Sequence, residues 1–286
     1  MMSDSPFIPP LSPRHRAMLQ EMGVPVWWPE STALADTGER PAAPPSLEPP
    51  SVSPSPGRRA MVTTPVMALP PDRQEAVPPE SGLHPATRLS DLTALACAVE
   101  ACTRCPLAQG RHRAVPGSGD PKPDWLIVGE APGEEEDRQG LPFVGRAGQL
   151  LDRMLAAMGL QRDRQVYIAN VIKCRPPMNR NPEPDEIAQC SPFLLQQVQL
   201  LRPRVILAMG RFAAQTLLAQ GQAWPADAVR QVPLGKLRGQ VHPVNLGGMR
   251  MPVVVTYHPA YLLRNPADKA KAWADLCLAM DTMDQT

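Results

Sequence analysis

One short stretch of this chain has the composition of a ligand-binding loop. The motif Gly129–Gly133 (Gly-Glu-Ala-Pro-Gly) follows an apolar, β-prone run, and Phe143 comes ten residues after it, ahead of a helical pattern. In open α/β sheets, ligands bind beyond the carboxyl ends of the strands. Such a loop brings backbone N–H groups close to a ligand, and here it adds a carboxylate, Glu130, and an aromatic face. An ordinary strand-to-helix connection has the same outline, so the other motifs must decide.

Four of the six cysteines are spaced as metal ligands often are. Cys102 and Cys105 form a Cys-x2-Cys pair, and Cys174 and Cys190 follow with fifteen residues between them. Four thiolates suit either a zinc ion or an iron–sulfur cluster. Two alternatives remain, a redox pair at Cys102 and Cys105 and a buried apolar role for Cys190. The other two cysteines are expected to pack in the core.

A third motif follows another strand-like run, Val253–Tyr257, and reads His-Pro-Ala-Tyr-Leu-Leu-Arg from His258. A histidine at the carboxyl end of a strand lies where ligands bind. An apolar wedge beside an arginine, here Leu262 beside Arg264, is how some proteins enter a DNA base stack. The alternative is that His258 caps a helix while Leu262 and Leu263 pack inside. The residues alone favour neither interpretation.

The apolar pattern predicts a parallel scaffold for these motifs. Near-continuous apolar runs, typical of strands buried on both faces, predict four strands at Trp125–Val128, Val166–Ile172, Val205–Met209 and Val253–Tyr257. Helical periodicity predicts helices at about 145–158, 185–201, 211–220 and 267–283. The alternation of strands and helices indicates an α/β fold with a mostly parallel sheet covered on both faces.

The amino-terminal third differs in composition from the rest. Nineteen of the 37 prolines lie in the first 90 residues, without any apolar period, so a disordered Pro-rich linker is predicted at 30–86. We expect a short peptide at 1–29 and a folded domain at 87–286. The net charge is +1, but residues 1–88 carry −2 and the rest therefore +3, which is weak support for a polyanionic partner. No run suits a membrane span or a signal peptide, so a cytoplasmic protein with reduced thiols is expected. We also expect a monomer.

Taken together, the motifs resemble the family 4 uracil-DNA glycosylases, the iron–sulfur branch of that superfamily. The resemblance covers nearly all of residues 90–280. It rests on five ordered motifs, which are Gly129–Gly133, Glu134–Gly145, Asn170 with Lys173–Pro177, Cys190, and His258–Arg264. It implies a three-layer α/β/α sandwich around a four-stranded, mostly parallel sheet. It also implies a [4Fe-4S] cluster on Cys102, Cys105, Cys174 and Cys190.

The resemblance further implies a DNA repair enzyme of the bacterial cytosol or nucleoid. Such an enzyme flips uracil out of single- or double-stranded DNA and hydrolyses its N-glycosidic bond, which begins base excision repair. Asn170 is expected to read the Watson–Crick edge of uracil, and Phe143 to stack on the ring. Glu136 is expected to block the C5 methyl of thymine. Leu262 is expected to fill the vacated base stack, with Arg264 on a phosphate.

The same resemblance assigns the chemistry to two residues at strand ends. His258, as a neutral imidazole, is expected to donate a hydrogen bond to uracil O2, where negative charge develops. Backbone N–H groups near Ala131 are expected to help. Glu130 is expected either to orient the attacking water or to stabilise the sugar cation.

Two departures from the family pattern refine these expectations. Ala260 stands where many members have a serine, so a hydroxyl contact to phosphate is lost. Lys173 and Cys174 stand where a branch that bonds covalently to uracil has Lys-His, so an enzyme that turns over is expected. An electron-transfer protein would explain the cysteines but not Asn170 or His258. A non-catalytic uracil-binding module and a glycosylase of broader base preference remain alternatives.

The peptide at residues 12–28 has features that a linker does not need. A short helical pattern ends at Gly23, and Trp27 and Trp28 follow. It is similar to the N-terminal peptide of the psi subunit of the bacterial clamp loader. Isolated helices of this length are marginal in water. We expect the peptide either to bind a replication or repair protein or to fold back onto the catalytic domain.

Overall fold

The computed structural model describes residues 84, 86 and 89–286, so the peptide at 1–29 and nearly all of the predicted linker lie outside the described residues. In this part of the chain the strands are β1 Ser118–Gly119, β2 Trp125–Gly129, β3 Val166–Asn170, β4 Val205–Met209, β5 Val241–Leu246 and β6 Met249–Thr256. The helices are α1 Leu92–Glu100, α2 Leu107–Gly110, α3 Glu134–Gln139, α4 Arg146–Ala157, α5 Pro184–Leu201, α6 Arg211–Gln220, α7 Ala226–Gln231, α8 Leu234–Leu237, α9 Pro259–Arg264 and α10 Lys269–Asp284. None of these helices has the length and apolar character that crossing a membrane requires.

The strands form one sheet in the order β1-β3-β2-β4-β6-β5. The four predicted strands are its centre, where β3, β2, β4 and β6 run parallel to one another. The two short or marginal strands β1 and β5 add antiparallel edges. The predicted four-stranded parallel arrangement is therefore confirmed as the middle of a six-stranded sheet.

The edge strand β5 has a sequence pattern that a search for continuous apolar runs does not detect. Its side chains alternate between exposed and buried, as expected of a strand covered on one face. Gly247 and Gly248, both with positive φ, connect it to β6 through a two-residue turn. Such turns favour glycine because both central residues need left-handed backbone. Pro243 is tolerated because an edge strand has an unpaired side.

The central strands send successive side chains to opposite faces of the sheet, and each face is covered by helices. On one face, Leu126 and Val128 of β2 belong to an apolar cluster shared with α1, α5 and α6. On the other face, Trp125 and Ile127 belong to a cluster shared with α4 and α10. The predicted three-layer α/β/α sandwich is confirmed. Because both faces are covered, the strands are apolar at nearly every position.

The folded domain extends slightly beyond the predicted boundary at residue 87. The His84 ring has Nε2 2.8 Å from the carbonyl oxygen of Gln189, and it packs edge-on against Phe193, with 4.9 Å between ring centroids. Ala86 is buried in the same apolar layer. His84, assigned to the linker by composition, therefore packs against α5, and Ala86 is part of the core.

Candidate active site and cysteine site

The carboxyl ends of the four parallel strands open into a cavity of about 690 Å³. Residues that follow β2, β3, β4 and β6 form its walls, so the sheet itself brings together side chains that are distant in sequence. Seven of the eight residues predicted to contact the base or DNA line this cavity, namely Glu130, Ala131, Glu136, Phe143, Asn170, His258 and Arg264.

Asn170, the last residue of β3, has a buried side chain whose carbonyl oxygen Oδ1 has no hydrogen-bond partner among the described residues. A Cβ atom at Gly129 would lie 2.4 Å from this oxygen and 2.5 Å from Cζ of Phe143. Only glycine at position 129 therefore leaves the space beside the amide open. An unpaired buried acceptor costs about 1–3 kcal/mol, so the site is built for a ligand that donates a hydrogen bond there.

Phe143 has a strained backbone, with φ of +53°, a region that residues other than glycine rarely adopt. The Arg162 guanidinium holds this conformation by donating to the carbonyl oxygens of Phe143 and Pro142, the latter at 2.9 Å. A Cβ atom at Gly148 would lie 1.7 Å from the Phe143 oxygen, so the loop requires glycine there. The role of Arg162 has no local sequence signal. Backbone strain of this kind concentrates at functional sites.

Glu136 organises the loop rather than presenting a free carboxylate. Its Oε1 accepts hydrogen bonds from the N–H groups of Val144 and Gly145, both at 2.9 Å, and its Oε2 accepts one from Gly133 at 3.1 Å. Gly133 and Gly145 are the N-cap residues of α3 and α4, where a carboxylate is stabilised by unpaired N–H groups. These contacts fix the loop that carries Phe143. Glu136 also lines the cavity, so its role as a block to a C5 methyl group stays a prediction.

His258 is both a helix cap and a wall of the cavity. Its Nδ1 accepts a hydrogen bond from the Ala260 N–H at 3.2 Å, and its ring stacks on Phe143 with 5.3 Å between centroids. Burial, with a contribution from the positive charge of Arg264, lowers the pKa of His258 to about 4. The imidazole is therefore neutral at pH 7. Because Nδ1 is the acceptor, the proton resides on Nε2, which makes Nε2 a hydrogen-bond donor.

The structure corrects the position of the predicted wedge. Leu262 is fully buried in the apolar layer formed with α4 and α10, so it cannot enter a base stack. Leu263 is 39% exposed, because the next residue of a helix points about 100° away from its predecessor. Arg264 is exposed at the mouth of the cavity. The alternative, in which His258 caps a helix and Leu262 and Leu263 pack inside, is correct for His258 and Leu262 and wrong for Leu263, which is free to reach outward.

Glu130 and Arg211 face the same cavity. Burial raises the pKa of Glu130, and the positive charge of Arg211 opposes this rise. Arg211 begins α6 directly after β4, and its guanidinium lies 4.7 Å from the ring centroid of Phe212. Arg211 was not among the predicted site residues. Its place just after the carboxyl end of strand β4 was the signal that could have identified it, because ligands bind beyond the carboxyl ends of parallel strands.

All four predicted cysteine ligands line one small cavity between α1, α5 and the loop after β3, together with Arg111 and Lys173. The sulfurs accept hydrogen bonds there. Arg111 Nη1 donates to Cys174 Sγ at 3.1 Å, and the Lys173 backbone N–H donates to Cys190 Sγ at 3.2 Å. Cys97 is exposed rather than in the core as expected, and Cys277 is half-buried. Neither lines this cavity.

The chemistry of this donor set suits a cationic centre. Burial raises the pKa of Cys190 to about 12 and also raises the pKa of Cys174 and of Cys105, with repulsion among neighbouring thiolates adding to it. Within the described ranges, no three His, Cys, Asp or Glu side chains are grouped to hold a single ion. Four thiolates suit either a zinc ion or an iron–sulfur cluster.

Lys173 lies between the two sites and is 1% exposed. Its ammonium donates to the backbone carbonyl oxygen of Asn170 at 2.7 Å and to Gln197 Oε1 at 2.6 Å. Burial lowers the pKa of Lys173 to about 8, while the neighbouring Cys190 and Cys174 thiolates oppose the change. Its charged form therefore still predominates at pH 7.

Comparisons with known proteins agree with this geometry. The family model described as "Uracil DNA glycosylase superfamily" matches residues 116–277. The chain is 42% identical over 189 residues to the type-4 uracil-DNA glycosylase of Pyrobaculum aerophilum, an alignment that covers 66% of this chain and 92% of the relative. It is 44% identical over 174 residues to the type-4 enzyme of Thermotoga maritima, covering 60% and 83% of the two chains. The type-4 enzyme of Archaeoglobus fulgidus is 42% identical over 168 residues, covering 59% and 81%.

Proposed function

Since this chain belongs to the type-4 branch of the uracil-DNA glycosylase superfamily, we propose that it hydrolyses the N-glycosidic bond of uracil in DNA. The product is an abasic site, and the reaction begins base excision repair. The observation that carries the proposal is the unpaired Oδ1 of Asn170, buried beside the Phe143 ring. A flipped pyrimidine has the flat faces and the polar edge that this arrangement complements.

Asn170 selects uracil through its amide. Uracil presents N3–H as a donor and O4 as an acceptor, and an amide can accept from the first and donate to the second. Cytosine has the reversed pattern at these positions, so it would leave the buried amide unpaired. Sites that hydrogen-bond a substrate reject analogues lacking that match by large factors. The ring of Phe143 stacks on the base, held in place by Arg162 and Glu136.

His258 and Glu130 carry the chemistry. Bond cleavage leaves negative charge on uracil O2 and positive charge on the sugar, so a preorganised donor aimed at O2 lowers the barrier. The Nε2–H of neutral His258 is that donor, with the backbone near Ala131 as a second. Glu130 faces the cavity, where burial raises its pKa and the positive charge of Arg211 opposes this rise. It either orients the attacking water or stabilises the cationic sugar.

The rim of the cavity binds the DNA itself. Large apolar side chains are exposed at Leu263, Leu141 and Met178, the last 93% exposed, and each is a close chain neighbour of cavity-lining residues. Arg264 and Arg211 supply positive charge near these side chains. Leu263 fills the space that the flipped base vacates, in place of Leu262, while Arg264 contacts a phosphate. Apolar insertion beside arginines is a common way to hold distorted DNA.

The cysteine site holds a [4Fe-4S] cluster on Cys102, Cys105, Cys174 and Cys190. When bound, the cluster supplies a structural cross-link between the segment after α1, the loop after β3 and helix α5. It takes no part in cleavage of the glycosidic bond. Arg111 and the Lys173 N–H group offset the negative charge of the thiolates through their hydrogen bonds to sulfur. Charge-assisted hydrogen bonds of this kind are stronger than neutral ones.

The amino-terminal region tethers the enzyme, which acts as a monomer in the cytosol. Residues 12–28 bind a replication or repair protein, and the Pro-rich segment serves as a spacer; both lie outside the described residues. Deleting residues 1–82 keeps His84 and Ala86, so excision from oligonucleotides should be unchanged while partner capture is lost. A truncated protein that cannot excise uracil would contradict the tether and favour folding back onto the domain.

The proposed activity is tested by single-turnover cleavage of a labelled oligonucleotide with one uracil. After treatment with alkali, we expect a break at the uracil and none in matched oligonucleotides with cytosine or thymine at that position. Asn170→Ala, checked for an unchanged iron content, is the matched control and should lose most of the activity. Absence of any break with the iron-loaded parent protein would overturn the proposal.

A further inference from the structure

The buried ammonium of Lys173 has no catalytic assignment, yet it is one of the most completely enclosed side chains in the described part of the protein. Moving a charged group from water into the interior is costly unless it is paired or hydrogen-bonded. The two acceptors found for this ammonium are both uncharged, one a backbone carbonyl and one a side-chain amide. Burying a cation beside neutral acceptors costs free energy of folding, so the contacts of this ammonium indicate its role.

The first contact leads to the uracil cavity. The ammonium binds the backbone carbonyl of Asn170 at 2.7 Å, which is the residue whose amide faces the cavity. The next two residues, Val171 and Ile172, donate their N–H groups to the carbonyl oxygens of Gly129 and Glu130 at 3.0 and 3.2 Å. The chain after β3 is thus fixed to the Gly129–Gly133 loop on one side and to Lys173 on the other.

The remaining contacts lead to the cysteine site. The Lys173 N–H donates to Cys190 Sγ at 3.2 Å, and the next residue is Cys174. Gln197, the second acceptor of the ammonium, lies on α5 together with Cys190. Gln197 is in turn anchored because its Nε2 donates to the Pro116 carbonyl oxygen at 2.7 Å. Lys173 therefore contacts the end of strand β3 and helix α5, which carries Cys190, and it directly precedes Cys174.

We propose that Lys173 is a positioning residue that transmits the geometry of the cysteine site to the amide of Asn170, and so sets how tightly uracil is held. The neighbouring sulfurs of Cys190 and Cys174, which would carry negative charge when they hold the cluster, stabilise the buried ammonium. The ammonium in turn fixes the Asn170 backbone, which leaves the side-chain amide a single orientation. This role rests on the proposed function and gives the cluster an influence on base recognition without any step in the reaction.

A double-mutant cycle tests the proposal, because residues that act through one another are not additive. Lys173→Met keeps the length of the side chain and removes the ammonium. We expect single-turnover excision of uracil to fall about tenfold, which corresponds to about 1.4 kcal/mol. In an Asn170→Ala background the same change should lower the rate less than about twofold. Lys122→Met, at an exposed lysine, is the matched control and should alter neither rate.

Equilibrium dialysis of radiolabelled free uracil gives a readout that does not depend on catalysis. We expect Lys173→Met, with its iron content and absorption near 400 nm retained, to bind uracil about tenfold more weakly than the parent. Parent-like uracil binding, or a tenfold loss that persists in the Asn170→Ala background, would overturn the proposal. If the parent protein itself neither excises nor binds uracil, the proposed function has failed rather than the role of Lys173 alone.

A second variant covers the case in which Lys173→Met loses its cluster. Gln197→Met removes one acceptor of the ammonium without changing a cysteine. With iron content unchanged, we expect it to weaken uracil binding about threefold and to show the same non-additivity with Asn170→Ala. Uracil binding equal to that of the parent would contradict the proposal.

Discussion

The uracil cavity and the cysteine site are both partly buried, but they differ in whether their polar atoms have hydrogen-bond partners within the protein. In the cavity, Asn170 Oδ1 has no partner among the described residues, and Phe143 is held in a strained backbone conformation. At the cysteine site, Cys174 and Cys190 already accept hydrogen bonds from Arg111 and Lys173. An unpaired polar atom is costly unless a ligand pairs it. The first site is therefore prepared for a ligand that comes and goes, and the second for one that stays.

Removing a ligand from the permanent site should have the largest effect. Cys190→Ala should lower the iron content, because it removes one ligand of the proposed cluster, and it should destabilise the fold, because a metal site contributes its binding energy to folding. We expect a melting temperature at least about 10 °C lower, since each kcal/mol shifts it by about 2–4 °C in a domain of this size. Differential scanning calorimetry with iron analysis measures both effects.

Cys97→Ser is the matched control for this variant, because Cys97 is exposed and does not line the cysteine cavity. It should keep the iron content and melting temperature of the parent. A Cys190→Ala protein with full iron and an unchanged melting temperature would remove the distinction between the two sites. Zinc in place of iron after anaerobic purification would refute the cluster.

The largest effect at the cavity should come from its hydrogen-bond donor. His258→Ala should lower single-turnover excision about 10²–10³-fold, the usual result of removing one preorganised donor to a developing anion. Iron content and melting temperature should change little, in contrast to the cysteine variants. His112→Ala, at an exposed histidine, is the control. Excision at the parent rate by His258→Ala would exclude the assigned role.

The two leucines of α9 should separate DNA contact from core packing. Leu263→Ala should slow excision from duplex DNA about tenfold and affect a single-stranded substrate less, because unstacking a base from a duplex costs a few kcal/mol. Leu262→Ala should instead destabilise the fold by about 2–5 kcal/mol, as truncated core leucines do. Rates on both substrates and chemical denaturation distinguish them. The reverse pattern would restore Leu262 as the wedge.

The smallest expected effect is the absence of a titration. Because burial lowers the pKa of His258 to about 4, its ring should stay neutral from pH 8 down to about 5.5. The unfolded chain takes up this proton near pH 6.5, so the stability contributed by neutral His258 is present above that pH and is lost as pH falls toward 4. The ¹³Cε1 chemical shift of His258 reports the pKa directly. A midpoint near 6.5 would show a solvated ring without the predicted environment.

Much of the scaffold could be predicted because its signals are local. The four parallel strands are apolar throughout, as burial on both faces requires, and the four predicted helices end within two residues of their observed bounds. The strand β1 was missed because two residues carry no period. The hairpin of β5 and β6 was missed although Gly247 and Gly248 mark it. Edge strands need less apolar sequence, so a search for apolar runs overlooks them.

The sequence predicted which residues line the candidate site better than it predicted the role of each residue. The sheet topology brings Asn170 and His258 to one cavity, as strand-end positions indicated. The roles depend on contacts that are distant in sequence. Glu136 is bound by the N–H groups of Val144 and Gly145, and Leu262 rather than Leu263 faces the core. Arg162 donates hydrogen bonds to the carbonyl oxygens of Pro142 and Phe143, and these contacts depend on tertiary packing rather than on a local sequence pattern.

The central claim, that the side-chain amide of Asn170 with its unpaired Oδ1 reads uracil, is tested most directly by changing that amide and measuring base preference. Single-turnover excision by the parent and by Asn170→Asp should be compared on matched oligonucleotides with uracil or cytosine, with iron content equal. A carboxyl group cannot donate to O4 when ionised, so the account predicts slower uracil excision, by about 10²-fold or more, and a sharply reduced preference for uracil over cytosine. An unchanged rate and an unchanged preference would contradict it.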